Sequence, residues 1–343
     1  MTAKATALEG RLLEISRNDP AAASACDVVA ALAKAGAEIA ELVSRGALDR
    51  LDATVGANAD GDAQKEIDLR AQDILTRCLQ SAPVAALASE ELEDWTSLDP
   101  TSTLAVAFDP LDGSGNFGVN GSMGTIFSIL QANGCDNPFV GPSGSQIAAG
   151  FLLYGAQTTL VASLGAGVDV FTLDRADLTW RLVQARLRIP SGTPEFAVNV
   201  ANHRHWEPAV RTYVNDCMSG AEGPRGRDFN MRWLGALVGE AFRILSRGGV
   251  YLYPADNRKT HREGRLRLLY EAHPIAFLIE QAGGRASTGY ARVLDVPVVH
   301  LHQRTPFIFG STEKVALIER LHATRDAGAD REPLFGARGL FRV

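Results

Sequence analysis

LAVAFDPLDGSGN, residues Leu104–Asn116, joins a short apolar run to two carboxylates and a glycine-rich turn. Leu104–Phe108 is too short for a helix, and its unbroken apolarity predicts a strand buried on both faces. Asp109 follows it directly, Pro110 is expected to end the strand, and Asp112 returns three residues later. Val84–Ala88 and Thr125–Leu130 read as strands of the same kind, and Glu90 and Glu91 close on the first of them. Leu266–Leu269 is a further strand, running into a helix near Glu271 with Pro274 in its first turn. Asp62 and Asp68 flank a loop-to-helix transition upstream. Acids thus recur where apolar runs stop, and strand ends of layered α/β proteins are where ligands bind.

Outward from this strand, Asp27–Arg45 is Ala-rich with helical apolar spacing, Ser24 as a candidate cap and Gly46 as a stop. Residues 51–64 read as a mobile Gly/Asn/Asp-rich loop, followed by a helix over Lys65–Gln80. Ala148–Gly167 is strongly apolar, but Tyr154, Gln157, Thr158 and Ser163 interrupt it. It reads as two strands about Gly155, not as a membrane span. Alternation at Leu160–Ser163, Asp169–Leu173 and Leu178–Val183 predicts an antiparallel meander. Helices are expected over Trp206–Cys217, Arg232–Ser246 and Glu313–His322, with strands at Val250–Tyr253 and Pro306–Gly310 and a loosely ordered tail from Ala323. The order of elements predicts a layered α+β or α/β protein with two intimate subdomains.

Of 343 residues, 46% are hydrophobic and 22% charged, which excludes a disordered chain. The net charge of −6 argues against a nucleic-acid or anionic-membrane partner, since both need a basic excess. Cys26, Cys78, Cys135 and Cys217 are scattered without a CxxC pair, so neither a disulfide framework nor structural zinc is expected. The first thirty residues carry no basic region followed by an apolar core, and a cytoplasmic protein is expected.

Carboxylates gathered at neighbouring strand ends raise one another's pKa unless a cation neutralises them. Oxygen ligands without His or Cys suit Mg²⁺ or Mn²⁺. The amides of Gly113-Ser114-Gly115-Asn116 can form an anion nest beside these acids. Asp-Pro-x-Asp-Gly alone is good turn chemistry, and Glu90-Glu91 alone is an ordinary solvated pair. Four acidic strand ends beside an amide-rich turn point together to metal-assisted hydrolysis of a phosphate ester.

FDPLDGSGN (Phe108–Asn116) resembles the signature of the Mg²⁺-dependent, lithium-sensitive sugar and inositol phosphatases. GRLRLLYEAHPIAFLIEQAGG (Gly264–Gly284) narrows the resemblance to the class I fructose-1,6-bisphosphatase family. GDAQKEID (61–68), SEE (89–91), RGGVYLYPAD (247–256) and TPFIFGS (305–311) agree in order and spacing. The inositol branch carries Trp-Asp-x-Ala-Ala where this chain has Tyr270-Glu271-Ala272-His273-Pro274. The resemblance implies the sugar phosphatase fold, an α/β/α/β/α sandwich of mixed sheets covered by helices. It implies a metal-binding subdomain over 1–190 and a sugar-phosphate-binding subdomain over 191–343. The activity implied is Mg²⁺-dependent hydrolysis of the 1-phosphate of fructose 1,6-bisphosphate, in gluconeogenesis or the Calvin cycle.

Residue by residue, the resemblance makes Glu90, Asp109, Asp112, Glu271 and the Leu111 carbonyl ligands for two or three Mg²⁺ ions per subunit, with Mn²⁺ as a substitute. Glu91, with Asp62 and Asp68, corresponds to the group that orients and deprotonates the attacking water. Asp112, Gly113, Ser114 and Gly115 correspond to the 1-phosphate cradle, and Asn199, Tyr253 and Arg265 to the 6-phosphate and sugar site. Arg232 matches an arginine that crosses into a neighbouring subunit, implying a homotetramer. Arg265 stands where a lysine is usual, Gly115 replaces a serine, and Trp233 and Asn202 replace tyrosines. The pocket that results is open to sedoheptulose 1,7-bisphosphate as an alternative or additional substrate.

AMP-inhibited members carry a Gly-Thr-Gly-Glu-Leu-Thr type segment where this chain has Asn18-Asp19-Pro20-Ala21-Ala22-Ala23, and cations where it has Thr103 and Gln131. Without that nest and both cations, little offsets the desolvation of a phosphate dianion. Light-regulated members carry a cysteine-bearing insertion, whereas Cys135 alone lies between Leu130 and Gln146 here. AMP titrated to millimolar levels under saturating Mg²⁺ is expected to leave hydrolysis unchanged, as is a dithiol reductant. Strong, cooperative AMP inhibition would overturn this reading.

Overall fold

An eight-stranded sheet organises the first half of the chain. The computed structural model describes residues 6–329 apart from 47, 50, 58–62, 133–135 and 142–145. Two helices, α1 (Leu8–Asn18) and α2 (Ala23–Arg45), lead through the hairpin β1 (Thr54–Ala57) and β2 (Ala63–Lys65) into α3 (Glu66–Leu79). The large sheet then forms from β3 (Ala86–Ser89), β4 (Thr96–Ser97), β5 (Leu104–Asp112), β6 (Met123–Gln131), β7 (Gln146–Tyr154), β8 (Thr158–Ser163), β9 (Val168–Asp174) and β10 (Thr179–Leu187). Its order is β10-β9-β8-β7-β6-β5-β3-β4. All neighbours are antiparallel except β3 and β5, which run parallel.

Period-two alternation sorts the central strands between two cores. Leu104, Val106 and Phe108 of β5 face α1, α2 and α3, whereas Ala105 and Ala107 face the opposite layer. That layer is α5 (Leu237–Arg247) and α6 (His273–Gln281). Beyond it lies a second sheet of order β12-β11-β13-β17-β15. Its strands are β11 (Glu195–Ala197), β12 (Asn230–Met231), β13 (Val250–Tyr253), β15 (Arg285–Ser287) and β17 (Phe307–Gly310); β14 (Leu266–Arg267) and β16 (Arg304–Thr305) pair separately. Tyr251, Phe307 and Phe309 face the α5–α6 layer, while Val250, Leu252 and Ile308 face α4 (Pro208–Met218) and α7 (Thr312–Ala329). The result is the expected α/β/α/β/α sandwich of mixed sheets. Among the described residues no helix is long and apolar enough to cross a membrane.

Several expectations are corrected. Pro110 does not end β5: the strand continues to Asp112 across a register shift between Asp109 and Asp112. A proline is tolerated where the ladder is interrupted, and the Pro110 carbonyl accepts from Thr125 Oγ1 at 2.8 Å. Residues 51–64 are not wholly loop, since both flanks pair as β1–β2. Ser24 lies inside α2, which starts one residue earlier. Arg232–Ala236 is not helical; α5 starts at Leu237, after Gly235 at φ +74°. Trp206 precedes α4. Leu268–Ala272 is a π-helical turn, leaving only Leu266–Arg267 of the expected strand. α7 runs past Ala323 to Ala329, and α1 had no counterpart in the sequence reading.

Gly124 fixes how closely β6 meets β7. A Cβ there would lie 1.9 Å from the Leu152 carbonyl oxygen and 2.9 Å from Val238 Cγ2. Gly124→Ala is therefore expected to cost roughly 2–4 kcal/mol as an overpacking change. The shift of the urea unfolding midpoint measures it, and an unchanged midpoint would refute it.

Candidate active site

Separate segments deliver carboxylates to one end of the large sheet. β5 carries Asp109 and Asp112, and the π-helical turn after β14 carries Glu271. One carboxylate oxygen from each lies within 4.8 Å of the others. Parallel pairing of β3 with β5 sets Ser89 opposite Phe108, and the Glu90 N–H donates to the Phe108 carbonyl at 3.1 Å. Glu90 therefore leaves its strand beside Asp109.

Each acid is held by the backbone. The Leu111 N–H donates to Asp109 Oδ1 at 2.9 Å, and the Arg267 N–H to Glu271 Oε2 at 2.5 Å. The Val238 N–H donates to Asp112 Oδ2 at 2.8 Å, in the first turn of α5, where the helix dipole favours negative charge. Arg267, itself buried, reaches Glu90 Oε1 at 3.4 Å. These contacts do not cancel the burial. Desolvation, then repulsion from the neighbouring acids, pushes Asp109 and Glu271 well above the usual carboxylate range. Desolvation raises Asp112 to about 6, opposed by the α5 amides. The donor set is carboxylate oxygen, with the Leu111 carbonyl adjacent, and it fits a hard divalent cation rather than zinc.

Glu91 adjoins this cluster. Burial pushes its carboxyl up to about 7; Gln64, donating from Nε2, opposes that shift, while Asp68 and Glu90 add to it. Asp68 caps α3 by accepting from the Lys65 N–H at 2.8 Å, and burial raises its pKa. Asp68 Oδ1 is buried without a hydrogen-bond partner among the described residues, and the Ser114 side chain beside this carboxyl opposes the rise. Asp62 lies outside the described residues. Lys65 Nζ reaches Asp52 Oδ1 at 2.6 Å and the Ser114 carbonyl at 3.1 Å, tying the β1–β2 hairpin to the glycine-rich turn. In that turn Gly113 sits at φ +76°, and a Cβ would come within 2.7 Å of Ala236 Cβ. Only glycine meets both demands. A Cβ on Gly115 would meet nothing within 4 Å among the described residues, so a serine is not needed there to hold the backbone.

Asn199, Asn202 and Tyr253 line one small recess together with Asp256, Arg258 and His261. Trp233 stacks on Tyr251 with centroids 5.9 Å apart and lies 6.1 Å from Tyr253. Arg265 and Arg232 are outside this lining; both are exposed, and Arg232 Nε stands 3.8 Å from Glu195 Oε1. Gln64, Lys65, Arg258 and Arg267 were given no role from the sequence. Gln64, Lys65 and Arg267 lie within the runs GDAQKEID and GRLRLLYE, but their partners come from separate turns: Glu91 and Glu90 after β3, Asp52 before β1 and Ser114 in the glycine-rich turn.

A profile of the fructose-1-6-bisphosphatase N-terminal domain matches residues 11–185, and one of its C-terminal domain matches 189–323. The chain belongs to the fructose-1,6-bisphosphatase family. It is 52% identical over 332 residues to the class 1 fructose-1,6-bisphosphatase of Rhodopseudomonas palustris strain BisA53, covering 96% of both chains. With the class 1 fructose-1,6-bisphosphatase of Nitrobacter vulgaris the identity is 50% over 339 residues, covering 98% of both. Leishmania major fructose-1,6-bisphosphatase in holo form superposes with a TM-score of 0.86 at 30% identity, covering 94% of this chain and 100% of that one. Fructose-1,6-bisphosphatases are thus its relatives along nearly its whole length.

The raised carboxyls link stability to pH. A carboxyl whose folded pKa exceeds its unfolded value favours the fold at low pH, and that contribution is lost as pH rises through the folded pKa. For Glu91 the window runs from its ordinary 4.5 to about 7. Metal-free protein is expected to lose roughly 2–3 kcal/mol across it, and Glu91→Gln to flatten the dependence. Tm measured in chelator at stepped pH tests this; an identical slope in the variant would contradict it.

Proposed function

We propose that this chain hydrolyses the 1-phosphate of fructose 1,6-bisphosphate, releasing fructose 6-phosphate and inorganic phosphate, with Mg²⁺ as its cofactor. One observation carries the reading: in a chain of this family, Asp109, Asp112 and Glu271 converge within 4.8 Å beside the Gly113–Gly115 turn. Glu90, Asp109, the Leu111 carbonyl, Asp112 and Glu271 would hold two or three Mg²⁺ ions per subunit, or Mn²⁺ in their stead. When bound, such ions neutralise phosphoryl charge and acidify water.

The chain's own residues bind, orient and move protons. The amides of Gly113, Ser114 and Gly115, next to Asp112, cradle the 1-phosphate. Glu91 accepts the proton of the attacking water, and a carboxyl near 7 suits a base working near neutrality. Asp68 and Asp62 position that water. Its oxygen bonds to phosphorus as the bond to the C1 oxygen breaks, the C1 oxygen takes up a proton from water to leave as a hydroxyl, and no phosphoenzyme forms. Asn199, Tyr253 and Arg265 hold the sugar and its distal phosphate. Arg232, half exposed within one subunit, is available to serve a neighbouring copy in a homotetramer. In this division residues 1–190 form the metal-binding subdomain and 191–343 the sugar-phosphate subdomain. The enzyme would work in the cytoplasm, in gluconeogenesis or carbon fixation. Asn202 and Trp233, in place of two phenols, favour sedoheptulose 1,7-bisphosphate as a second substrate.

Purified protein with fructose 1,6-bisphosphate, assayed with Mg²⁺ and with chelator, tests the activity directly. Asp109→Asn and Asp112→Asn are each expected to abolish Mg²⁺-dependent turnover with far-UV circular dichroism unchanged. Near-normal kcat at saturating Mg²⁺ would sink the ligand assignment. Arg232→Ala should raise KM strongly, and verified mixed oligomers with Glu91→Gln should regain activity because some sites combine intact halves. No regain would place Arg232 in its own subunit's function.

A further inference from the structure

Phe229, between α4 and β12, is ringed by cations. Arg227 Cζ lies 5.1 Å, Arg225 Cζ 5.2 Å and Lys314 Nζ 5.5 Å from its ring centroid. Arg225 also stands 5.0 Å over the ring of Tyr213, a fully buried residue of α4. Lys314, in the first turn of α7, is 1% exposed. Among the described residues its Nζ has no hydrogen-bond acceptor and the buried Arg225 Nη1 has none; the Tyr213 hydroxyl, also buried, has the Cys217 thiol and the Arg225 guanidinium beside it.

The nearby carboxylates do not answer this excess. Glu313 Oε1 stands 3.7 Å from Lys314 Nζ, but it already accepts the Gly192 N–H at 3.1 Å and its side chain is half exposed. Asp228 Oδ1 accepts the Ala221 N–H. Arg227 turns its Nη1 to the Gly192 carbonyl at 2.8 Å. Burial lowers the Lys314 ammonium; Glu313 opposes this, and Arg227 and Arg225 add to it. A buried ammonium without a bonded counter-charge is strongly unfavourable, so the cluster needs either a neutral lysine or an anion. A neutral lysine would still leave Arg225 Nη1 unanswered and give the Tyr213 hydroxyl no acceptor stronger than the Cys217 thiol. An oxyanion offers acceptors to all three donors at once.

We propose that Lys314, Arg225 and the Tyr213 hydroxyl form an oxyanion site that takes inorganic phosphate or the phosphate group of a small ester. It lies in the α4–α7 layer, separated by the second sheet from the α5–α6 layer that backs the carboxylate cluster.

Thermal unfolding in chelator, at constant ionic strength, tests this with inorganic phosphate as probe. Phosphate should raise Tm of the full chain by several degrees relative to chloride. Lys314→Met and Arg225→Gln should each lose most of that rise while retaining normal hydrolysis in phosphate-free buffer. A selenate-soaked crystal should carry an anomalous peak within hydrogen-bond distance of Lys314 Nζ. Repeating the titration with fructose 6-phosphate separates the sources: a rise lost in Lys314→Met admits the ester, and one that persists restricts the site to the free ion. An undiminished phosphate response in both variants, or selenate bound only elsewhere, would overturn the proposal. So would a Lys314→Met protein that is more stable than the parent without phosphate and equally responsive to it.

Discussion

Everything at the catalytic end depends on keeping mutually repelling carboxylates out of water. Asp109 and Glu271 are buried and Asp112 partly so, and desolvation raises all three. The fold tolerates them because each accepts a backbone N–H, from Leu111, Val238 and Arg267 respectively. Three different local devices supply those donors: a register shift within β5, the N-terminus of α5 and the π-helical turn before α6. The cluster is thus built into the way the layers join. A metal ion held by this cluster would complete a charge balance that Arg267 only begins.

The sequence made the central strands legible because they are continuous apolar runs, and the carboxylates legible because they sit where those runs stop. Glu90, Asp109, Asp112 and Glu271 were found on that ground alone. The five-layer order came from family resemblance, since periodicity cannot say which sheet a strand joins. Local breaks were harder to see. Pro110 reads as a stop in one dimension, yet the interrupted ladder at Asp109–Asp112 removes the need for its missing N–H. Arg232–Ala236 has helical composition, but Gly235 takes a left-handed conformation and Trp233 is committed to stacking on Tyr251. The roles of Lys65 and Gln64 depend on Ser114 and Glu91, which lie far along the chain, and no local pattern announces such pairs.

A second charged hub joins β11 to α5. Glu195, buried on β11, pairs with Arg243 at 3.1 Å and with Arg247, while Glu240 pairs with Arg243 at 3.0 Å and accepts the Leu234 N–H at 2.6 Å. Breaking such a network by removing one partner strands a buried charge. It anchors the irregular Arg232–Ala236 segment at its start, through Glu195 near Arg232, and at its middle, through Glu240 at Leu234. The loop that presents Arg232 therefore has little freedom of its own, although its arginine is exposed.

The π-helical turn at Leu268–Ala272 also bears on how this lineage can change. A π turn holds one more residue than an α-helical turn would, and that extra residue sets the phase of all that follows. Deleting it would restore a regular helix and rotate the side chains on one side of the cut by about 100° relative to the other. Either Glu271 or the buried apolar face of α6 would then be turned away from its place. Point substitutions can explore this segment one side chain at a time, whereas a single-codon deletion would have to be matched at once by a new packing of the whole helix. Length variation should accumulate in the surface loops and spare these five residues.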